Sequence, residues 1–193
     1  MTRIAAVVLA AGSSSRMGSP KQLLRFGGIT LLRRATLAAI DAGCDPVVVV
    51  TGAHAELSRQ ELEGLHVREA INRDWESGMA SSIRSGIEAA RDCDAAVLML
   101  CDQPRVDAHV IAQLIAAFRE NDAPIVASSY GGSFGVPALF SSVLFDELTQ
   151  LHGAAGAKQI IAKQIADAKL IAFAGGETDV DTPEDFQRLL EHD

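Results

Sequence analysis

Two alternating periodicities predict an α/β fold, a mostly parallel, mixed sheet with helices on both faces. Short β-branched apolar runs recur between segments whose apolar residues repeat at helical spacing, from residue 4 to the C-terminal region. The chain's 193 residues are 48% hydrophobic and 22% charged, enough to bury one sizeable core and unlike a disordered chain. A single domain over residues 1–193 is expected.

The elements follow in order. Ile4 to Leu9 (IAAVVL) reads as a buried strand leading into a Gly/Ser/Pro loop, and Leu31 to Ala42 as the first helix. Val47 to Thr51 is a second strand, followed by a short helix at Ala55 to Glu63 and a weaker strand near Val67 to Ala70. Ile83, Gly86, Ile87 and Ala90 form a helical stripe before the buried strand Ala96 to Cys101. A stripe from Val110 to Phe118 predicts another helix, with Asp107 as its cap. Ile125 to Ser129 reads as a strand, Val143 to Thr149 and Ala157 to Ile165 as helices, and Leu170 to Phe173 as the last strand. Thr182 and Pro183 open a final helix whose apolar face is Phe186, Leu189 and Leu190. In such sheets ligands bind outside the carboxyl ends of the strands, so the loops there matter most.

Composition narrows the function. With 17 Lys plus Arg against 25 Asp plus Glu, the net charge of −8 argues against a general nucleic-acid binder. The longest apolar runs, Ile4 to Ala11 and Ala95 to Cys101, are less than half the length of a membrane span, and no signal peptide is read at the N-terminus. Cys44, Cys93 and Cys101 lack metal-binding spacing and predict reduced thiols in a cytoplasmic protein. His54, His66, His109, His152 and His192 are scattered, and no chemistry is assigned to them.

The loop after the first strand, Leu9 to Lys21 (LAAGSSSRMGSPK), is the strongest local signal. Gly12 and Gly18 free the backbone so that successive N–H groups can converge on phosphate oxygens, and Arg16 and Lys21 supply compensating charge. The spacing fits neither GxxxxGK[ST] nor GxGxxG. Asp102, directly after a buried strand, has the oxygen chemistry for a hard cation. Cys101 reads as a packing residue, and Trp75 more as packing than as a base stacker.

Four motifs together carry a resemblance: LAAGxSxRMGxxK at Leu9 to Lys21, NxxWxxGMxxS at Asn72 to Ser82, CDQP at Cys101 to Pro104, and D[IV]DTPED at Asp179 to Asp185. The chain resembles, over nearly its whole length, the nucleotidyltransferases that attach a nucleotide to the molybdenum cofactor, with the cytidylyltransferase branch the nearest likeness. That resemblance implies a Rossmann-like, nucleotide-diphospho-sugar-transferase-like fold and Mg2+ as cofactor. It implies transfer of CMP from CTP to the terminal phosphate of molybdopterin, with a recipient molybdoenzyme or its chaperone as a further partner. Leu9, Ala10, Ala11, Gly12, Arg16, Lys21, Asn72, Gly78, Ser82 and Asp102 are the expected nucleotide-binding residues, among them Arg16, Lys21 and Asp102 as catalytic groups and Asp102 with Asp181 as metal ligands. Two stretches depart from the pattern: Gly153 to Lys158 reads GAAGAK where relatives have GDxGAR, and Gly135-Val136-Pro137 stands where they have Gly-His-Pro. A transferase acting on a sugar or polyol phosphate, and a noncatalytic nucleotide-binding chaperone of a molybdoenzyme, are the alternative readings.

Overall fold

The computed structural model describes residues 2–121 and 123–191; His192 lies outside them. In chain order it holds β1 (Ile4–Leu9), the short hairpin β2 (Arg25–Phe26) and β3 (Ile29–Thr30), α1 (Leu31–Asp41), β4 (Val47–Thr51), α2 (Ala55–Glu61), β5 (Arg68–Ile71) and α3 (Met79–Ala89). There follow β6 (Ala95–Leu100), α4 (Ala108–Glu120), β7 (Ile125–Tyr130), β8 (Ser133–Ser141), α5 (Phe145–Thr149), α6 (Lys158–Lys163), β9 (Ala168–Ala172) and α7 (Pro183–Glu191). The main sheet runs β5-β4-β1-β6-β8-β7-β9. Only β8 runs antiparallel to its neighbours β6 and β7; the other pairings are parallel.

The alternation of β1 explains the layers. Ile4, Ala6 and Val8 face α1 and α4, whereas Ala5, Val7 and Leu9 face α3, α5 and α6. Gly86 lets α3 lie close to the sheet, since a Cβ there would collide with Val7 and with Val50 Cγ2 at 2.9 Å. A third cluster, Met17, Phe26, Leu31, Val180 and Leu189, joins the loop after β1 to the C-terminal segment. Val180 is fully buried, and burying such a side chain stabilises by roughly 1.5–3 kcal/mol.

The expected caps form. Asp107 accepts from Val110 N at 2.9 Å, Thr182 Oγ1 from Asp185 N at 3.2 Å, and Asp185 Oδ2 from Thr182 N at 2.9 Å. The helix expected from Ala157 to Ile165 is shorter, Lys158–Lys163, and α3 begins earlier than its apolar stripe.

Two elements were not expected, the β2–β3 hairpin and β8. In β8, Pro137 argues against a central strand because it cannot donate to a ladder. The structure accommodates it with a register shift: Ala127 pairs with Ala138 and Ser128 with Gly135, leaving Val136 and Pro137 in the irregularity. Ser128 Oγ donates to the Pro137 carbonyl at 2.7 Å.

Candidate active site

After β1 the chain builds β4 and β5 on one side, then crosses back to β6 on the other. The carboxyl ends of β1 and β6 therefore flank a switch point, where open sheets of this kind leave a crevice. A cleft of about 350 Å³ opens there.

Eight of the expected residues line it: Leu9, Ala10, Ala11, Gly12, Lys21, Gly78, Ser82 and Asp102. Asn72 does not. It is buried behind the wall, where Nδ2 donates to Ser81 Oγ (2.8 Å) and Ser82 Oγ (3.0 Å) and Oδ1 accepts from Asp74 N (2.9 Å). Those bonds fasten the turn carrying Trp75 to the start of α3. Arg16 and Asp181 also lie outside the lining but pair with each other at 2.9 Å.

The loop owes its shape to a residue that sequence reasoning passed over. Gln22, almost fully buried, donates from Nε2 to the carbonyls of Ala10 (3.4 Å) and Gly12 (3.3 Å), and accepts from Ser14 Oγ at 3.1 Å. Ser14 Oγ in turn accepts from Lys21 N at 3.0 Å. Gly18 has φ +72, and Met17 is held in the third apolar cluster. The loop is thus tied at both ends, with Gly12 and Ser13 at its start and Lys21 and Gln22 at its close lining the cleft.

Charge concentrates at the cleft mouth. Lys21 Nζ bridges Asp102 Oδ2 and Asp181 Oδ1, the latter at 3.0 Å. Sequence-distant Asp181 arrives because Val180 N donates to the Asp102 carbonyl at 3.0 Å. Burial alone would push the Lys21 ammonium toward neutrality, but Asp102 and Asp181 outweigh it and hold its pKa above the ordinary lysine value. Burial also opposes ionisation of Asp181, yet Lys21 and Arg16 keep its pKa below the usual carboxylate value. Asp179, another residue not singled out, is pushed up by burial and by the Asp102 charge. Burial pushes the Cys101 thiol up to about 12, consistent with its reading as a packing residue.

Asp102 bears on the metal. Its side chain is 9% exposed, and Oδ1 is buried with no hydrogen-bond partner among the described residues. Lys21 satisfies the other oxygen, so a ligand position remains open to a hard cation. Among the described residues no three acidic, His or Cys side chains gather as a complete metal cage. The carboxylates therefore suit a cation completed by phosphate oxygens and water.

Beyond the cleft lies an annexe of about 120 Å³, sharing Leu9, Met79 and Leu100 with it. Gly135, Val136, Gly156, Ala157 and Lys158 line this annexe, so it draws on both stretches that depart from the expected family pattern, although Ala154 is not in the lining. Gly78, at φ +112, packs against the Gly153 carbonyl, and Ala80 N donates to that oxygen at 3.1 Å.

Together, the sheet order and the site define an α/β domain of nucleotidyltransferase type. Residues 6–168 match the MobA-like NTP transferase domain, and the chain belongs to that family. It is 32% identical to nicotine blue oxidoreductase of Paenarthrobacter nicotinovorans, covering 97% of this chain and 96% of that one. It is 33% identical to the purine catabolism protein PucB of Bacillus subtilis, over 95% and 94% of the two chains. A probable molybdenum cofactor guanylyltransferase of Mycobacterium marinum is 28% identical over 89% of this chain and 84% of its own. Among solved structures, Rv0371c of Mycobacterium tuberculosis H37Rv superposes with a TM-score of 0.89 at 33% identity, over 98% of both chains. A manganese complex of the same protein superposes with a TM-score of 0.82 at 31% identity, over 98% of this chain and 99% of that one. The expected fold holds, and the expected family holds at the level of the MobA-like NTP transferase domain; the relatives do not single out the cytidylyltransferase branch.

Proposed function

We propose that this chain transfers CMP from CTP to the terminal phosphate of molybdopterin and releases pyrophosphate. The observation that carries the reading is the cluster of Lys21, Asp102 and Asp181 at the mouth of the cleft, with one Asp102 oxygen left unpartnered. A triphosphate and an incoming phosphate bring like charges together, so catalysis here is chiefly positioning and charge neutralisation. The N–H groups of the Gly12 to Ser14 stretch and the Lys21 ammonium bind phosphate oxygens, and Arg16 clamps from the exposed side. Ser82 and Gly78 shape the nucleoside wall, with Asn72 holding Ser82 in place.

Asp102 and Asp181 would hold Mg2+. That ion, when bound, polarises the α-phosphate and stabilises the leaving pyrophosphate. A metal-bound relative, the manganese complex of Rv0371c, supports divalent-ion use. The acceptor enters from the annexe, where Lys158 brings a positive charge to an otherwise mainly apolar wall. The choice of CTP rests on Leu9-Ala10-Ala11-Gly12 and Cys101-Asp102-Gln103-Pro104; the guanylyltransferase relative makes GTP the competing donor. Three buried free thiols are consistent with a cytoplasmic site of action, and no helix among the described residues is long and apolar enough to cross a membrane.

The test is pyrophosphate release with Mg2+, comparing CTP, GTP and ATP with and without molybdenum-loaded molybdopterin. Release only with CTP plus that acceptor is the expected result. Release with another phosphate acceptor instead would move the assignment to a sugar or polyol phosphate transferase. A second reading, an oxidoreductase, takes its support from the 32% identical relative, a nicotine blue oxidoreductase. Redox turnover of nicotine blue, without pyrophosphate release from any triphosphate, would favour it.

A further inference from the structure

On the α1 and α4 side of the sheet, a depression of about 470 Å³ gathers Arg34 from α1, Arg105 from the turn after β6, and His109 from α4. Two glycines make room for the arginines. A Cβ at Gly27 would stand 2.6 Å from Arg34 Nη2, and one at Gly175 would stand 2.7 Å from Arg105 Cδ. Both glycines have positive φ, +59 and +96, so the backbone at these points favours the residue that clears the arginines.

The lining carries an excess of positive charge. Neither arginine nor His109 forms a salt bridge among the described residues. Arg34 Nη2 donates to the Phe26 carbonyl at 3.0 Å and its guanidinium lies 4.9 Å from the Phe26 ring centroid, while Nε is buried without an acceptor. The lining carboxylate, Asp107, accepts from Val110 N through Oδ1 and keeps its charge, so the lining sets two guanidiniums against one carboxylate, and Arg105 also borders a neighbouring hollow with Glu177, Asp179 and Asp185. In a chain of net charge −8, two guanidiniums without a salt bridge around one hollow are a local excess of positive charge.

We infer that this hollow is a second anion site, which takes the phosphate group of a small molecule. Planar guanidinium forks match phosphate oxygens in pairs, and the volume lies within the usual range for small-molecule sites. Inorganic phosphate and the reaction's own product, pyrophosphate, share this chemistry, so both serve as probes.

The experiment is a titration of the full-length, 15N-labelled protein with each probe in turn, followed by amide shifts. Saturable shifts at Arg105, His109 and Ala174, separate from those of residues 9–21, are expected. The tighter of the two probes identifies whether product or a simple phosphate is the natural source. Arg105→Gln combined with His109→Gln should weaken binding at this site by roughly tenfold to a hundredfold while leaving shifts of residues 9–21 intact. Shifts confined to residues 9–21, or none at millimolar probe, overturn the proposal. So does unchanged affinity in the double variant. Because the shift map is read on the unsubstituted protein, poor folding of the variant would not leave the question open.

Discussion

The two ends of the cleft are built differently. At the end proposed to hold the phosphates, Lys21, Asp102, Asp181 and Arg16 form a chain of ion pairs, held by Gln22 beneath the loop and by the Val180–Asp102 hydrogen bond. At the annexe end, Leu98, Leu100, Met79, Tyr130 and Val136 make a small apolar pocket, with Lys158 bonded to Ser133 Oγ at 2.8 Å. Charge at fixed positions suits a triphosphate whatever the acceptor. Shape and a single cation suit a particular acceptor.

The contrast predicts unequal effects of substitution. Asp102→Asn should lower turnover by about a thousandfold or more in a pyrophosphate-release assay, with the fold intact by circular dichroism. Near-normal Mg2+-dependent turnover would break the assignment. Lys21→Ala should cost roughly a hundredfold in turnover, and it also strips Asp102 of its described ion-pair partner. Because both side chains are largely buried (21% and 9% exposed), the lost pair should destabilise by about 3–5 kcal/mol in urea unfolding. At the other end, Lys158→Ala should raise the acceptor KM by about tenfold while the nucleotide KM and kcat stay put. A matching rise in nucleotide KM would erase the distinction between the two ends.

The smallest effect concerns a residue that touches the phosphate end without serving it. With its thiol at about 12, Cys101 stays protonated at pH 8 and should resist iodoacetamide in the folded protein, yet react once unfolded. The sign follows from burial: a thiol raised in the folded state gives stability that is present below the unfolded value of 9.0 and is lost as pH rises toward 12. Rapid alkylation of Cys101 in the native protein would contradict the buried, inert role.

Much of the fold was legible because its main strands and helices carry strong periodicity, as in the uniformly buried β1 and β6 and the stripes of α3 and α4. The two missed hairpins had a local signal: each turns on Gly-Gly with positive φ, Gly27-Gly28 and Gly131-Gly132. In β8 the proline masked that signal, and only the register shift opposite Ala127 and Ser128 makes room for it. At the site, Gly12 and Asp102 could be singled out because each lies just after a buried strand, and Lys21 because it closes the glycine-containing loop that follows β1. Gln22 could not, since its value comes from carbonyls that fold back onto it. The position of Asp181 was implied only by resemblance; physically it depends on Val180 docking across the molecule.

The most direct measurement follows the α-phosphate. With CTP labelled at the α-phosphorus, Mg2+ and molybdenum-loaded molybdopterin, label should move into the acceptor, and CTP labelled at the γ-phosphorus should yield labelled pyrophosphate. Label from the γ-position in the acceptor, or no transfer while nucleotide binds tightly, would contradict nucleotidyl transfer at this cleft.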